Sequence, residues 1–107
     1  MTGRHVVAMG AAVVFWTAAP AAALAQANVD SGRYLAGNCA NCHGTLGAAK
    51  GAMPSLAGQK KETLVEQMRA FRDGKRPATV MHQLAKGYSD AQIEVIAEFF
   101  ARQPAPR

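Results

Sequence analysis

The sequence predicts one small all-α domain, on three observations. Apolar residues recur at helical spacing in two long stretches. No segment alternates with the two-residue rhythm of a strand. The punctuation is also that of helices, with polar capping residues ahead of the apolar runs and glycines behind them. At 107 residues the chain has room for a single domain.

The opening segment reads as an export leader. Arg4 supplies a basic start, an apolar run begins at Val6, and small residues follow as far as Ala23-Leu24-Ala25. An uncleaved anchor is the competing reading. It suits this run poorly, because the stretch is alanine-rich, carries Pro20 and falls short of the ~20 strongly apolar residues a bilayer core requires. Cleavage after Ala25 is expected, with Ala27 as the near alternative. This divides the chain into a leader, residues 1–25, and an exported, periplasmic domain, residues 26–107.

The helices of that domain follow in order. In "DSGRYLAGNCANCHG", Asp30 or Ser31 is expected to cap a first helix that carries Tyr34 and Leu35 toward the cysteines. The stretch "GTLGAAKGAMPSLAG" reads as an irregular loop. In "KKETLVEQMRAFRDG", Leu64, Met68 and Phe71 form an i, i+4, i+7 stripe, and Gly74 is the expected stop. A short turn, "HQLAKG", ends at Gly87. The last helix starts at Ser89, with Gln92 completing a capping box, and presents Ile93, Ile96, Ala97 and Phe100 on one face.

Charge narrows the function classes. The net charge of +5 falls by one when Arg4 leaves, and no basic run exceeds two residues. That is too little for a nucleic-acid groove and enough to steer the protein toward an acidic partner surface. Size raises a further problem. A domain of about eighty residues is marginal on its hydrophobic core alone and usually carries a staple. The chain has two cysteines, Cys39 and Cys42, and a bond between neighbours so close removes little unfolded-state entropy.

The two cysteines belong to "CANCH", residues 39–43, and three chemistries use such spacing. A thioredoxin-type redox pair needs a βαβ context, which is missing here. Structural zinc needs four ligands, whereas this pair is joined only by His43 and the distant His82. Covalent haem attachment has Cys-x-x-Cys-His as its signature. Thiols at i and i+3 lie on one side of a helical turn and can form thioethers at one porphyrin edge. His43 is then carried beneath the ring as an axial ligand. The ring also supplies the missing staple, as an apolar centre for the core.

The second axial ligand comes from Met53, Met68, Met81 or His82. Met68 lies on an apolar stripe and reads as core. Met53 precedes Pro54 and stays on the side of His43. Met81 lies beyond the "KRPATV" loop, far enough along to return on the opposite face, and is the expected ligand; His82 is its competitor. A thioether–imidazole pair suits electron transfer and raises the reduction potential.

"CANCHG", "MPSLAGQ" and "TVM" followed by an amphipathic helix resemble the class I cytochromes c over essentially all of residues 26–107. The resemblance implies a small cytochrome c fold, three to five helices around one covalently attached haem c. It implies that Pro54 offers its carbonyl to the second ring nitrogen of His43, and that the first helix crosses the last, with Tyr34 or Leu35 meeting Ile96 or Phe100. Gly32 lies one position from the commonest place for the small residue of that crossing.

The segment "FRDGKRPATVMHQLAKGYSDAQIEVIAEFFARQ" is similar to the cytochrome subunit of flavocytochrome c sulfide dehydrogenase. That likeness implies an electron-transfer role beside a flavoprotein subunit, with no reaction catalysed by this chain alone. A diffusible shuttle docking through Lys50, Lys60, Lys61, Lys75 and Lys86 is the alternative. An open-site haem enzyme or gas sensor is a third reading, and it requires the Met81 position to be vacant.

Overall fold

The computed structural model describes residues 21–107, so most of the expected leader lies outside the described residues. Among the described residues there are four helices: α1 (Ala21–His43), α2 (Lys61–Arg72), α3 (Met81–Leu84) and α4 (Asp90–Ala101). Single 3-10 turns at Thr45–Gly47 and Ala85–Gly87 link them, and among the described residues there is no strand.

The first helix begins earlier than expected. Asp30 and Ser31 lie inside α1, so neither is its cap. The physical reason is the alanine content between Pro20 and Asp30. Alanine is the strongest helix former, and Asn28 alone in that stretch has a side chain that competes for the backbone.

The core lies where α1 and α2 pack on α4. Ala36, Leu64, Val65, Ile93, Ile96, Ala97 and Phe100 form its buried cluster, with Leu35, Cys39, Leu56, Met68, Tyr88 and Phe99 packed against it. The α1–α4 crossing is close because Gly32 stands at it. A Cβ there would come within 2.9 Å of the Val95 carbonyl oxygen. Of the two aromatic-or-apolar candidates on α1, Leu35 makes the core contact, while Tyr34 is 84% exposed. The stripe on α2 is also shifted. Val65 is buried beside Leu64, and Phe71 lies at the margin beneath the Arg76 guanidinium, 4.9 Å from the ring centre. The helical repeat of 3.6 residues makes i and i+1 share the rim of one face, so a strict i, i+4, i+7 reading misses Val65.

The capping box of α4 forms as expected: Gln92 N–H donates to Ser89 Oγ at 3.2 Å, and Ser89 N–H donates to Gln92 Oε1 at 2.9 Å. An ion ladder then sets α2 over α4. Lys61 lies 3.3 Å from Glu94 and 3.6 Å from Glu98. Arg69 lies 3.2 Å from Glu94, and Arg72 lies 2.8 Å from Asp90. These pairs are partly solvated, so each contributes about 0–1 kcal/mol and serves register more than stability.

Candidate metal and cofactor centre

The centre is built from the C-terminal end of α1 and the loop after it. Cys39 and Cys42 are one helical turn apart on α1 and are free thiols, Cys39 half-buried and Cys42 exposed. Burial pushes the Cys39 thiol up from its ordinary value. His43 is the last residue of α1 and is buried. The chain turns back at once at Gly44, whose φ of 82° suits glycine; a side chain there would meet the Ala48 carbonyl.

That reversal brings the loop under the histidine. Leu56 and Ala57 N–H donate to the Gly47 carbonyl at 2.8 and 3.2 Å, and Ala49 N–H donates to Ser55 Oγ at 3.0 Å. So held, the Pro54 carbonyl oxygen lies 2.7 Å from His43 Nδ1. A carbonyl can only accept, so Nδ1 must carry the proton. Nε2 is left with the lone pair, the form in which imidazole binds a metal. The carbonyl also fixes the ring's orientation and raises its basicity.

Met81 opens α3, which packs principally on α2 and on the turn Ala85–Gly87. It is half-buried, as is His82 after it. Met68 lies against the core cluster, and Met53 is exposed in the loop before Pro54. The structure thus separates the four candidate side chains by environment: Met68 in the core, Met53 on the His43 loop, and Met81 with His82 on a separate element.

The residues present fit a large apolar ring. Leu46 and Met53 on the His43 side, with Val80 and Leu84 on the Met81 side, are all between 41% and 56% exposed. Four apolar side chains left half in water on the two segments that carry the candidate ligands are surface that a porphyrin would cover. Zinc finds no such support: among the described residues no three His, Cys, Asp or Glu side chains converge. One polar atom at the site also lacks a partner. Nδ1 of His82 is shielded from water and unbonded among the described residues. In the sequence His82 stood only as a competitor to Met81; burial of its ring nitrogen had no signature there.

Comparisons with known proteins bear on the family and the fold. The family model described as cytochrome C oxidase, cbb3-type, subunit III matches residues 27–100. The cytochrome subunit of sulfide dehydrogenase from Chlorobaculum tepidum is 39% identical over 88 residues, 80% of this chain and 80% of that protein. The thiosulfate dehydrogenase electron acceptor of Stutzerimonas stutzeri is 40% identical over 67 residues, which are 59% of this chain and 31% of that one. Among solved structures, the Acidithiobacillus ferrooxidans cytochrome c4 superposes with a TM-score of 0.65 at 31% identity, covering 70% of this chain and 49% of that chain. The chain therefore spans about a third of the thiosulfate relative and half of the solved cytochrome c4.

Proposed function

The chain belongs to the cytochrome c family, and from that premise we propose that it is the exported haem subunit of a sulfide-oxidising flavoprotein complex. It is an electron-transfer protein with one covalently attached haem c, related to the cytochrome subunits of sulfide and thiosulfate dehydrogenases. The proposal goes further in three respects. Cys39 and Cys42 form the thioethers, His43 and Met81 are the axial ligands, and residues 1–25 are a leader removed on export to the periplasm. The observation that carries the site is the 2.7 Å contact from Nδ1 of His43, the residue after Cys42, to the Pro54 carbonyl. For the partner, it is the match in length as well as identity to the sulfide dehydrogenase subunit, four fifths of both chains.

Haem supplies the one-electron couple. The protein's residues hold its surroundings still while the electron passes. His43 is locked in one tautomer by Pro54. The core contacts of α1 with α4 hold the attachment helix in place, and Leu46, Met53, Val80 and Leu84 would shield a bound ring from water. A site that keeps its ligands in both oxidation states reorganises little, which favours transfer over catalysis.

A diffusible shuttle is the second reading. The relatives named as electron acceptors and the positive net charge favour it. Affinity purification of the haem-loaded protein from exported extract separates the two. A flavin-containing complex that survives moderate salt supports the subunit reading. A monomer whose partner contacts vanish as salt rises supports the shuttle instead. Purified protein that releases its haem into acidified organic solvent refutes the thioether assignment under either reading.

A further inference from the structure

Met81 as a ligand leaves an unexplained neighbour. Nδ1 of His82 is buried without a hydrogen-bond partner among the described residues, and folded chains rarely keep such an atom without a use. The chain holds three histidines. His5 lies in the expected leader and His43 is tied to Pro54, so His82 is the imidazole left over in residues 26–107.

The element that carries it is lightly anchored. Helix α3 is four residues long, has no side-chain cap from Val80 and contains no buried residue. Its start is held by Gln83 N–H and Leu84 N–H, both donating to the Val80 carbonyl at 2.9 and 3.1 Å. Val80 and Leu84 are 56% and 53% exposed. A single turn with no side-chain cap and no buried residue of its own, fixed only by packing on α2 and by the buried Ala85 that follows it, lies toward the low-stability end of a fold. Successive residues on a helix point about 100° apart, so rotation of this one turn exchanges the side chain presented by residue 81 for that of residue 82. Imidazole is a good iron ligand, while thioether is the softer donor.

We propose that His82 is a built-in substitute axial ligand, which takes the sixth position on the iron when the Met81 sulfur leaves it and so keeps the site closed to external ligands. The exchange breaks an iron–sulfur bond and forms an iron–nitrogen bond. The ring nitrogen without a proton supplies the electron pair, and no electron or proton changes hands. This inference rests on the reading of Met81 as the ligand of the haem-loaded protein.

The test compares wild type, Met81→Ala and Met81→Ala/His82→Ala, each haem-loaded. The red absorption band of ferric iron–methionine ligation tests the underlying reading by itself. A band that persists in Met81→Ala overturns the Met81 assignment and this inference with it. Where the band is lost, the ferric Met81→Ala protein should stay six-coordinate and low-spin. The double variant should become high-spin, and its ferrous form should bind carbon monoxide. External imidazole should bind the double variant at least about tenfold more tightly than Met81→Ala, because a tethered ligand competes at millimolar or higher effective concentration. If Met81→Ala is as high-spin as the double variant, with equal imidazole affinity, His82 is not a ligand, although Met81 remains one. Met81→Leu, with and without His82→Ala, repeats the comparison at conserved volume if circular dichroism shows the alanine variants unfolded.

Discussion

Two glycines on α1 give a test in which one substitution controls for the other. Replacing Gly37 by alanine places a methyl group in open space, with nothing within 4 Å of its Cβ. The helix then gains the alanine propensity, about 1 kcal/mol of stability. Replacing Gly32 brings the same gain, but its methyl group meets the Val95 carbonyl oxygen at 2.9 Å, the Phe99 Cβ at 3.1 Å and the Val95 Cγ1 at 3.3 Å. A backbone oxygen cannot rotate away, so α1 and α4 must separate, at an overpacking cost of roughly 1–3 kcal/mol. Propensity cancels between the two variants, and their difference isolates the crossing. We expect Gly37→Ala to be the more stable of the pair by about 1–3 kcal/mol in guanidinium unfolding of the haem-loaded protein. For a domain of this size that corresponds to about 4–8 °C of melting temperature per kcal/mol. Equal stabilisation by both substitutions would refute the close crossing and the assignment of Gly32 to it.

Met81→His should keep the haem attached while lowering the reduction potential, since imidazole replaces thioether; an unchanged potential in a redox titration means that Met81 is not the ligand. Ser89→Ala removes the hydroxyl that accepts from Gln92 N–H and should cost about 1 kcal/mol in denaturant unfolding, whereas an unchanged midpoint would remove the capping box from the account. Acid should weaken the α2–α4 ladder in a predictable direction. The Arg72 guanidinium holds the Asp90 carboxyl below its ordinary range, and Arg102 does the same for Glu98. A carboxylate whose folded pKa is depressed contributes stability above its unfolded pKa of about 4 and loses it as pH falls through the folded value. Stability should therefore begin to drop below about pH 5 and go on falling through the depressed folded values, and Asp90→Asn/Glu98→Gln should flatten that drop; an identical slope in the variant counts against the ladder.

The features legible in the sequence were those set by neighbours in the chain. The capping box at Ser89 and the buried face of Ile93, Ile96, Ala97 and Phe100 follow from local spacing alone, and both are present. The start of α1 was not legible, because the cap signal at Asp30 and Ser31 competed with an alanine run whose propensity has no sharp boundary. The choice of Leu35 over Tyr34 depends on which side of α1 faces α4, and that is decided by contact at Gly32, distant in sequence from α4. Val65 was missed because two adjacent residues can share one buried face. The unbonded Nδ1 of His82 is of the same kind, since its burial is a property of the folded chain and not of the local sequence.

These distinctions divide the molecule by what holds each part. Helices α1, α2 and α4 supply every residue of the buried cluster, and glycine and alanine at the crossing let a thin core close without bulk. Helix α3 supplies none of it, yet it carries Met81, and its flanking apolar side chains remain half in water. A chain this short cannot bury enough surface to fix every element, so the attachment side is anchored by the protein's own packing and the opposite side is left for the ring to anchor. The His43 end is therefore rigid by construction, with Pro54 fixing one nitrogen. On the proposed ligation the Met81 end would be held by the iron it binds, and the proposed exchange, confined to α3, would leave the core cluster untouched.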